Sequence, residues 1–254
     1  MNYIAKMIAL NRRQYLEHRQ VYGLLALAIA CLLFLLFFIT WHWRESFSGG
    51  VGNGIFLIGL FGGGAAFSAS LYQDLRHPAK TIWLLGIIAS AGQKIMLWII
   101  YAVFLYGAAY TIIFYLVEAV FFSIAAGPQS AMMKANVFSN GFYSFYLIFI
   151  NFQLWLLIGS LTFRKGALIK TLLLMVLYFI IAATGNVVLM KAMTGEDSIT
   201  SSLPFNYFQF VHNGENIYVY LPASIQALIN ISCNFLLPLF LSYIAYLKFT
   251  EKEI

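Results

Sequence analysis

The chain has 254 residues, of which 62% are hydrophobic and only 9% are charged, and its formal net charge is +6. A soluble domain averages about 25% charged residues and could not hide this much apolar surface from water. The composition excludes a soluble protein and predicts an all-α integral membrane protein. The few basic residues lie between apolar runs, where they set topology, so the positive charge does not predict nucleic-acid binding.

The N-terminal segment, residues 1–20, combines apolar positions at helical spacing, from Tyr3 to Ile8, with basic side chains elsewhere. This pattern predicts a helix that lies in the membrane interface. A solvated, partly frayed N-terminus is the alternative. Residues 21–41 then form an unbroken apolar run that ends in an aromatic belt, which predicts the first span.

The second apolar run, residues 54–71, is rich in glycine. Small residues let another helix approach closely, so we expect this second span to pack inside the helix bundle. A flexible hinge is the alternative explanation. The glycines concerned are Gly59, Gly62, Gly63 and Gly64.

The region that follows holds a short apolar run and a long one. Residues 81–92 would reach only about 18 Å as a helix, which is too short for a hydrocarbon core about 30 Å thick. They predict an interfacial or re-entrant helix, and residues 95–126 predict a long third span. Dividing residues 81–126 into two spans would place Lys94 in mid-membrane, and the cost of a buried lysine argues against this division.

Three further apolar runs, residues 142–163, 171–190 and 222–246, predict the last three spans. Before the sixth span, residues 206–221 alternate between apolar and polar positions around the dipeptide Asn213-Gly214. This pattern predicts a small β-hairpin outside the membrane, and an aromatic loop on the interface is the alternative.

Six spans place both termini on one side of the membrane. Of the fifteen lysines and arginines, only Arg44, Lys134 and Lys191 fall on the other side. Because basic residues are concentrated in cytoplasmic segments, both termini are expected in the cytoplasm, and the hairpin on the extracytoplasmic side.

The sequence contains no enzyme signature. It lacks a P-loop and a zinc motif, and its histidines fall in predicted loops or interfaces, so we expect no catalytic residue, bound metal or cofactor. Glu118 is an acidic residue inside a span, where it is either functional or hydrated near the outer surface. Asn151 and Asn186 are expected to form hydrogen bonds between helices, with ligand contact as the alternative.

Three local motifs stand out beside the order of the spans. Residues 87–95 follow the pattern L-P-A-S-x-x-E-K-F at Ala89, Ser90 and Lys94, whereas Ile88 and Gln93 replace its proline and glutamate. Residues 158–171 closely match L-G-S-x-x-F-x-K-x-x-x-x-K-T, and the tail is similar to R-x-K-x-K-E-[IV]. In these features the chain resembles the permease subunit of a type 2 ATP-binding-cassette (ABC) exporter.

The resemblance implies an elbow helix at residues 1–20 and a six-helix transmembrane domain at residues 21–254. It implies a second permease chain and cytoplasmic ABC ATPase subunits that carry the ATP and Mg²⁺. The segment around residues 81–94 would be a coupling helix that docks on the ATPase. Its expected contacts, which are ordinary interface residues in the alternative, are Ala89, Ser90, Gln93 and Lys94.

The function implied by the resemblance is export of a lipid-like, peptide or drug-like substrate across the bacterial cytoplasmic membrane, in contact with membrane lipid. The altered coupling motif leaves a second hypothesis, a non-transporting scaffold or immunity protein. A membrane-embedded enzyme is the third, and it lacks a catalytic constellation at a common depth.

Overall fold

A computed structural model describes residues 3–43, 49–73, 89–125, 142–163, 165–194, 199–203, 207–212, 215–220 and 222–253. Six helices in this part of the chain are long and apolar enough to cross a membrane. This result confirms the six predicted spans, and it is the architecture of a multi-pass membrane protein.

The helices are α1 (Tyr3–Trp43), α2 (Gly49–Leu71), α3 (Ala91–Ile99), α4 (Tyr106–Ala125), α5 (Phe142–Thr162), α6 (Ala167–Thr194), α7 (Ala223–Ile231) and α8 (Leu237–Glu253). Two π-helical segments, Ile100–Leu105 and Ser232–Leu236, connect α3 to α4 and α7 to α8. The third span is therefore α3 through α4, and the sixth is α7 through α8. The other four spans are α1, α2, α5 and α6.

The first helix differs from the expectation of a separate interfacial helix. Helix α1 is continuous for 41 residues, so residues 3–20 and the first span share one axis. The segment contains no proline, and a single glycine, Gly23, costs a helix only about 1 kcal/mol relative to alanine. Nothing in the local sequence therefore breaks the helix at residue 20.

The start of the third span also differs. Residues 74–88, which hold most of the predicted coupling helix, lie outside the described part of the chain. Ala91 to Lys94 were expected in that short helix, but they form the first turn of α3. The reason is local, because Ser90 and Gln93 form a capping box that begins a helix at Ala91.

The fourth span, α5, occupies the centre of the bundle. It packs against α2, α6, α8 and the π segment of the third span. Helix α1 packs against α2 and α4 on the other side. A buried, largely aromatic cluster fills the space between these helices, whereas most apolar side chains of α6 are exposed. Such exposure is expected of a helix that faces lipid.

The chain between the fifth and sixth spans forms a three-stranded antiparallel sheet in the order β1 (Ile199–Leu203), β2 (Tyr207–His212) and β3 (Glu215–Tyr220). Strands β2 and β3 pair in register from Tyr207 opposite Tyr220 to His212 opposite Glu215. Helix α6 ends at Thr194, and β1 begins at Ile199. Strand β1 pairs antiparallel with β2, from Ile199 opposite Phe210 to Leu203 opposite Tyr207.

Candidate functional site

The glycines of α2 receive tyrosine side chains from the third span. A Cβ atom added to Gly59 would collide with the hydroxyl of Tyr110, and one added to Gly63 would collide with the hydroxyl of Tyr106. The tyrosines fill the space that the missing side chains leave. The two glycines and the two tyrosines both lie four residues apart, so they face each other as matched rows along two helices.

These tyrosines are also bound through their hydroxyl groups. The hydroxyl of Tyr106 donates to the carbonyl oxygen of Gly59 at 3.0 Å, and that of Tyr110 donates to the carbonyl oxygen of Phe56 at 2.9 Å. Both carbonyls belong to a helix backbone, and a carbonyl oxygen has a second lone pair for such a bond. The contact therefore joins the second span to the third with every buried hydroxyl paired.

The remaining two glycines of the predicted packing surface behave differently from each other. A Cβ atom on Gly64 would lie 2.6 Å from the amide nitrogen of Gln153 and 2.7 Å from the ring of Phe149, so Gly64 permits close contact with α5. Gly62 is exposed, and an added Cβ atom there would meet open space. Gly59, Gly63 and Gly64 are thus close-approach positions, and Gly62 is not.

A second polar contact joins α2 to α5. The hydroxyl of Ser68 donates to the carbonyl oxygen of the Gln153 side chain, and the backbone N–H of Tyr72 donates to the backbone carbonyl of Ser68 at 2.9 Å. Gln153 is 1% exposed, and its amide nitrogen has no hydrogen-bond partner within the described residues. An unpaired buried donor costs about 1–3 kcal/mol, so the unpaired amide nitrogen of Gln153 lowers the free energy of unfolding.

Helix α5 also supplies a hydrogen bond to each π-helical segment. The hydroxyl of Tyr146 donates to the carbonyl oxygen of Val103 at 3.0 Å, and the amide nitrogen of Asn151 donates to that of Cys233 at 3.2 Å. A π-helical turn disturbs the regular backbone ladder, and side-chain donors compensate for this. The fourth span, α5, is therefore hydrogen-bonded to the π-helical segments of both the third and the sixth spans.

Asn151 is one of three residues proposed from the sequence as an intramembrane polar site. It lies 11 residues from the end of α5 at Thr162, which is about 17 Å along the helix. Asn186 lies 19 residues from the start of α6 at Ala167, or about 29 Å. Because α5 and α6 meet at those ends, the two side chains differ in depth by about 12 Å.

Glu118 lies on a third helix, α4. It is 27 residues beyond Ala91, the first residue of α3, or about 40 Å along the span. That distance exceeds the hydrocarbon core, so Glu118 belongs to the far end of the bundle. Its side chain is only 2% exposed, so it is covered by protein rather than hydrated at the surface. The three proposed residues therefore do not form one site.

The four expected coupling residues lie at the beginning of α3. Ser90 is the N-cap, its side-chain oxygen accepts the Gln93 N–H at 3.3 Å, and its own N–H donates to the Gln93 side chain at 3.0 Å. Ala89 precedes the cap and is half-buried. Gln93 is 3% exposed, so its contacts in this structure are internal to the chain.

Lys94 is equally buried, and its ammonium lies 5.7 Å from the centre of the Phe249 ring. Trp98 packs edge-on against the same ring, at 5.4 Å between centroids. A cation over an aromatic face is attracted by the negative charge of that face. Two of the three motifs found in the sequence, those containing Lys94 and Phe249, therefore meet at one end of the bundle.

The third motif forms the tight turn between α5 and α6. A Cβ atom on Gly159 would collide with the side chain of Thr171, so these residues bring the two helices into close contact. Gly166 adopts φ +65°, a left-handed conformation that glycine adopts without steric cost. The ammonium of Lys170 lies 5.6 Å from the centre of the Phe163 ring. The motif residues thus build the turn itself.

The hydrogen bonds described above join the helices of the bundle to one another. Among the described residues, no group of three or more histidine, cysteine or acidic side chains could hold a metal ion. Cys31 and Cys233 are free thiols on exposed positions. The sequence analysis did not identify Tyr106, Tyr110 and Tyr146 as residues that join the spans. For Tyr106 and Tyr110, the four-residue spacing that they share with Gly59 and Gly63 was the available signal.

Comparison with known proteins adds no relationship. No family model matches the chain, and neither the curated proteins nor the solved structures include a significant match.

Proposed function

We propose that this chain is the permease subunit of a type 2 ABC exporter. The observation that carries the proposal is the motif at residues 158–171, whose Gly159, Gly166 and Thr171 build the close turn between the fourth and fifth spans. Six spans agree with such a subunit. The cargo is an unidentified lipid-like, peptide or drug-like molecule, moved across the bacterial cytoplasmic membrane.

In this proposal both termini are cytoplasmic, because most of the basic residues lie on their side of the six-span arrangement. The sheet of β1, β2 and β3 is then extracytoplasmic. Two cytoplasmic ABC ATPase subunits bind the ATP and Mg²⁺, and a second permease chain, either a copy or a homologue, completes the transport pathway. The chain itself has no P-loop with which to bind ATP.

Force from the ATPase would enter through the segment before Ser90. The capping box connects that segment directly to the third span, and Lys94 connects the third span to Phe249 of the sixth. Helix α5 then links these two spans through Tyr146 and Asn151. A movement at the start of α3 would therefore displace several spans together, as alternating access requires.

The burial of Gln93 and Lys94 favours one alternative, a non-transporting scaffold or immunity subunit. Side chains that are buried within this chain are poor candidates for contacts with an ATPase. In that case the membrane domain binds a different partner, and no nucleotide-driven movement occurs.

The deciding experiment is purification of the tagged chain from its own host in mild detergent, with mass spectrometry of the proteins that remain bound. Recovery of a stoichiometric P-loop ATPase would support the permease function. In that case the Gly159→Val variant should lose the bound ATPase, while the Gly185→Val variant should retain it. A Cβ atom at Gly185 meets open space, so this variant controls for a larger side chain in the membrane. Recovery of the chain alone, or with a non-ATPase partner, would favour the scaffold or immunity function.

A further inference from the structure

A partly open cavity of about 590 Å³ lies between α1 and the third span. Along most of its length the lining is aliphatic or aromatic, with Ala26, Ile29, Ala109 and Ile113 among its residues. At the end nearest the N-terminus the lining changes to Asn11, Arg12 and Tyr15. The cavity is therefore amphipathic, with one polar end and a long apolar part.

The polar end is held in place by one hydrogen bond between the third span and α1 and by another within α1. The hydroxyl of Tyr101 donates to the side-chain oxygen of Asn11 at 2.6 Å, and the Gln14 amide donates to the hydroxyl of Tyr22 at 3.1 Å. Tyr22 and Tyr101 pack together with their ring centroids 5.9 Å apart. These contacts fix the wall of the cavity on both helices.

Arg12 is the charged group at this end. Its neighbour Arg13 pairs with Glu17 at 2.7 Å, whereas Arg12 is exposed and forms no ion pair within the part of the chain that the structure describes. The guanidinium of Arg12 is thus available to an anion at the mouth. Arginine suits phosphate because its planar donors can form two parallel hydrogen bonds.

The cavity is long enough to accommodate an acyl chain across one leaflet of a bilayer. Its lining on α1 runs from Asn11 to Ile29, about 27 Å along the helix. Half of a bilayer, with its headgroup region, is about 20–22 Å thick. Water does not fill an apolar cavity of this kind, and the acyl chains of the surrounding lipid are the apolar groups that can reach it.

We propose that this cavity binds one acyl chain of an anionic phospholipid from the surrounding bilayer, with the headgroup phosphate at Arg12. The lipid lies between the N-terminal helix and the π segment of the third span, which supplies Ile100, Tyr101 and Leu105 to the wall. The proposal does not depend on an ATPase partner, because it concerns only contacts within this chain and its membrane.

A second cavity between α1 and α4 provides an internal comparison. It has a volume of about 720 Å³, and its lining, which includes Ala30, Phe34 and Val117, has no charged residue. Any lipid chain that enters it meets no headgroup ligand, so it should not distinguish anionic from neutral lipids. Ala26 of the first cavity and Ala30 of the second lie one helical turn apart, which makes matched substitutions possible.

Native mass spectrometry of the chain, purified in detergent and titrated with phosphatidylglycerol or phosphatidylcholine, tests the site for the acyl chain. Ala26→Phe should abolish the tightest phosphatidylglycerol binding, and Ala30→Phe should leave it unchanged. On the other wall, Ala109→Phe should act like Ala26→Phe, and Ala108→Phe is its control because Ala108 is exposed but does not line the cavity. Retention of tight binding in folded Ala26→Phe and Ala109→Phe proteins would overturn the proposal.

The headgroup is tested by the ratio of the two lipid affinities. Arg12→Ala should lower the preference for phosphatidylglycerol by about fivefold, the effect of losing one basic residue near an anionic headgroup, while Arg19→Ala should lower it less. Inorganic phosphate at millimolar concentration should not displace the lipid, because the acyl chain contributes to binding. An unchanged preference in Arg12→Ala, or displacement by phosphate alone, would contradict the proposed lipid.

Discussion

The side-chain amide of Asn151, on the fourth span, donates a hydrogen bond to the backbone carbonyl of Cys233, 3.2 Å away in the π segment of the sixth span. The same amide nitrogen also lies 3.1 Å from the carbonyl oxygen of Leu147 on its own helix. Asn151 therefore ties the irregular part of one span to the regular backbone of another. Polar contacts of this type between membrane helices contribute on average about 0.6 kcal/mol.

Replacing Asn151 by leucine should destabilise the chain by about 1 kcal/mol, since the substitution leaves the Cys233 carbonyl without its side-chain donor. The measurement is the midpoint temperature of unfolding in detergent, followed by size-exclusion chromatography with fluorescence detection. Asn230→Leu is the matched control, because Asn230 is an exposed asparagine of α7. Equal midpoints for Asn151→Leu and the wild type would show that the contact with Cys233 contributes nothing.

The glycine surface of α2 gives a second prediction. Gly59→Ala should lower stability by about 1–3 kcal/mol, because the new methyl group collides with the hydroxyl of Tyr110. Gly62→Ala should be neutral or stabilising, since its methyl group meets open space and alanine favours a helix by about 1 kcal/mol over glycine. Unfolding midpoints of the two variants in the same detergent give the comparison.

The collision can be tested further with Tyr110→Phe, which removes the hydroxyl group. Alone, this change should weaken the contact with Phe56 by about 1 kcal/mol, since it removes a buried hydrogen bond. Combined with Gly59→Ala it should cost less than the sum of the two single changes, because loss of the hydroxyl removes the closest of the clashing atoms and leaves the ring carbon Cζ at 2.8 Å. Additive effects would mean that Gly59 and Tyr110 are not coupled.

The turn between α5 and α6 depends on the backbone of Gly166, at φ +65°. Gly166→Ala should cost about 1–2 kcal/mol, because a Cβ atom is crowded in the left-handed region. Gly166→Asn should cost less, since asparagine adopts this conformation more readily than alanine. The order of the unfolding midpoints, glycine above asparagine above alanine, is the expected result, and alanine equal to glycine would contradict it.

The capping box at the start of α3 connects stability to the proposed function. Ser90→Ala should destabilise the first turn of α3 by about 1 kcal/mol, because the side chain no longer accepts the Gln93 N–H. Gln93→Glu should preserve the cap, because glutamate is equally suited to the third position of a capping box. The midpoint of unfolding is the measurement for both variants.

If the chain couples to an ABC ATPase, the same two variants should differ in activity. Gln93→Glu should keep or raise the ATP hydrolysis rate of the reconstituted complex, and Ser90→Ala should reduce it. Loss of hydrolysis in Gln93→Glu, with the complex intact, would mean that the match between residues 87–95 and the coupling motif is wrong.

The spans of this protein could be predicted because a membrane-spanning helix requires a long run of consecutive apolar residues. Runs such as 142–163 are long and apolar enough to span by themselves, and the helix found there, Phe142–Thr162, ends within one residue of the prediction. The start of the third span was misplaced, because the cap formed by Ser90 and Gln93 depends on geometry within one turn.

The contacts between spans were decided only by the tertiary structure. Hydropathy identifies Tyr106, Tyr110 and Tyr146 as span residues, but it does not say which backbone carbonyl each hydroxyl reaches. Lipid and protein are equally apolar, so the pattern of the sequence does not separate the side of a helix that faces a neighbour from the side that faces lipid. The pairing of Gly59 with Tyr110, and of Asn151 with Cys233, required the helices to be packed together.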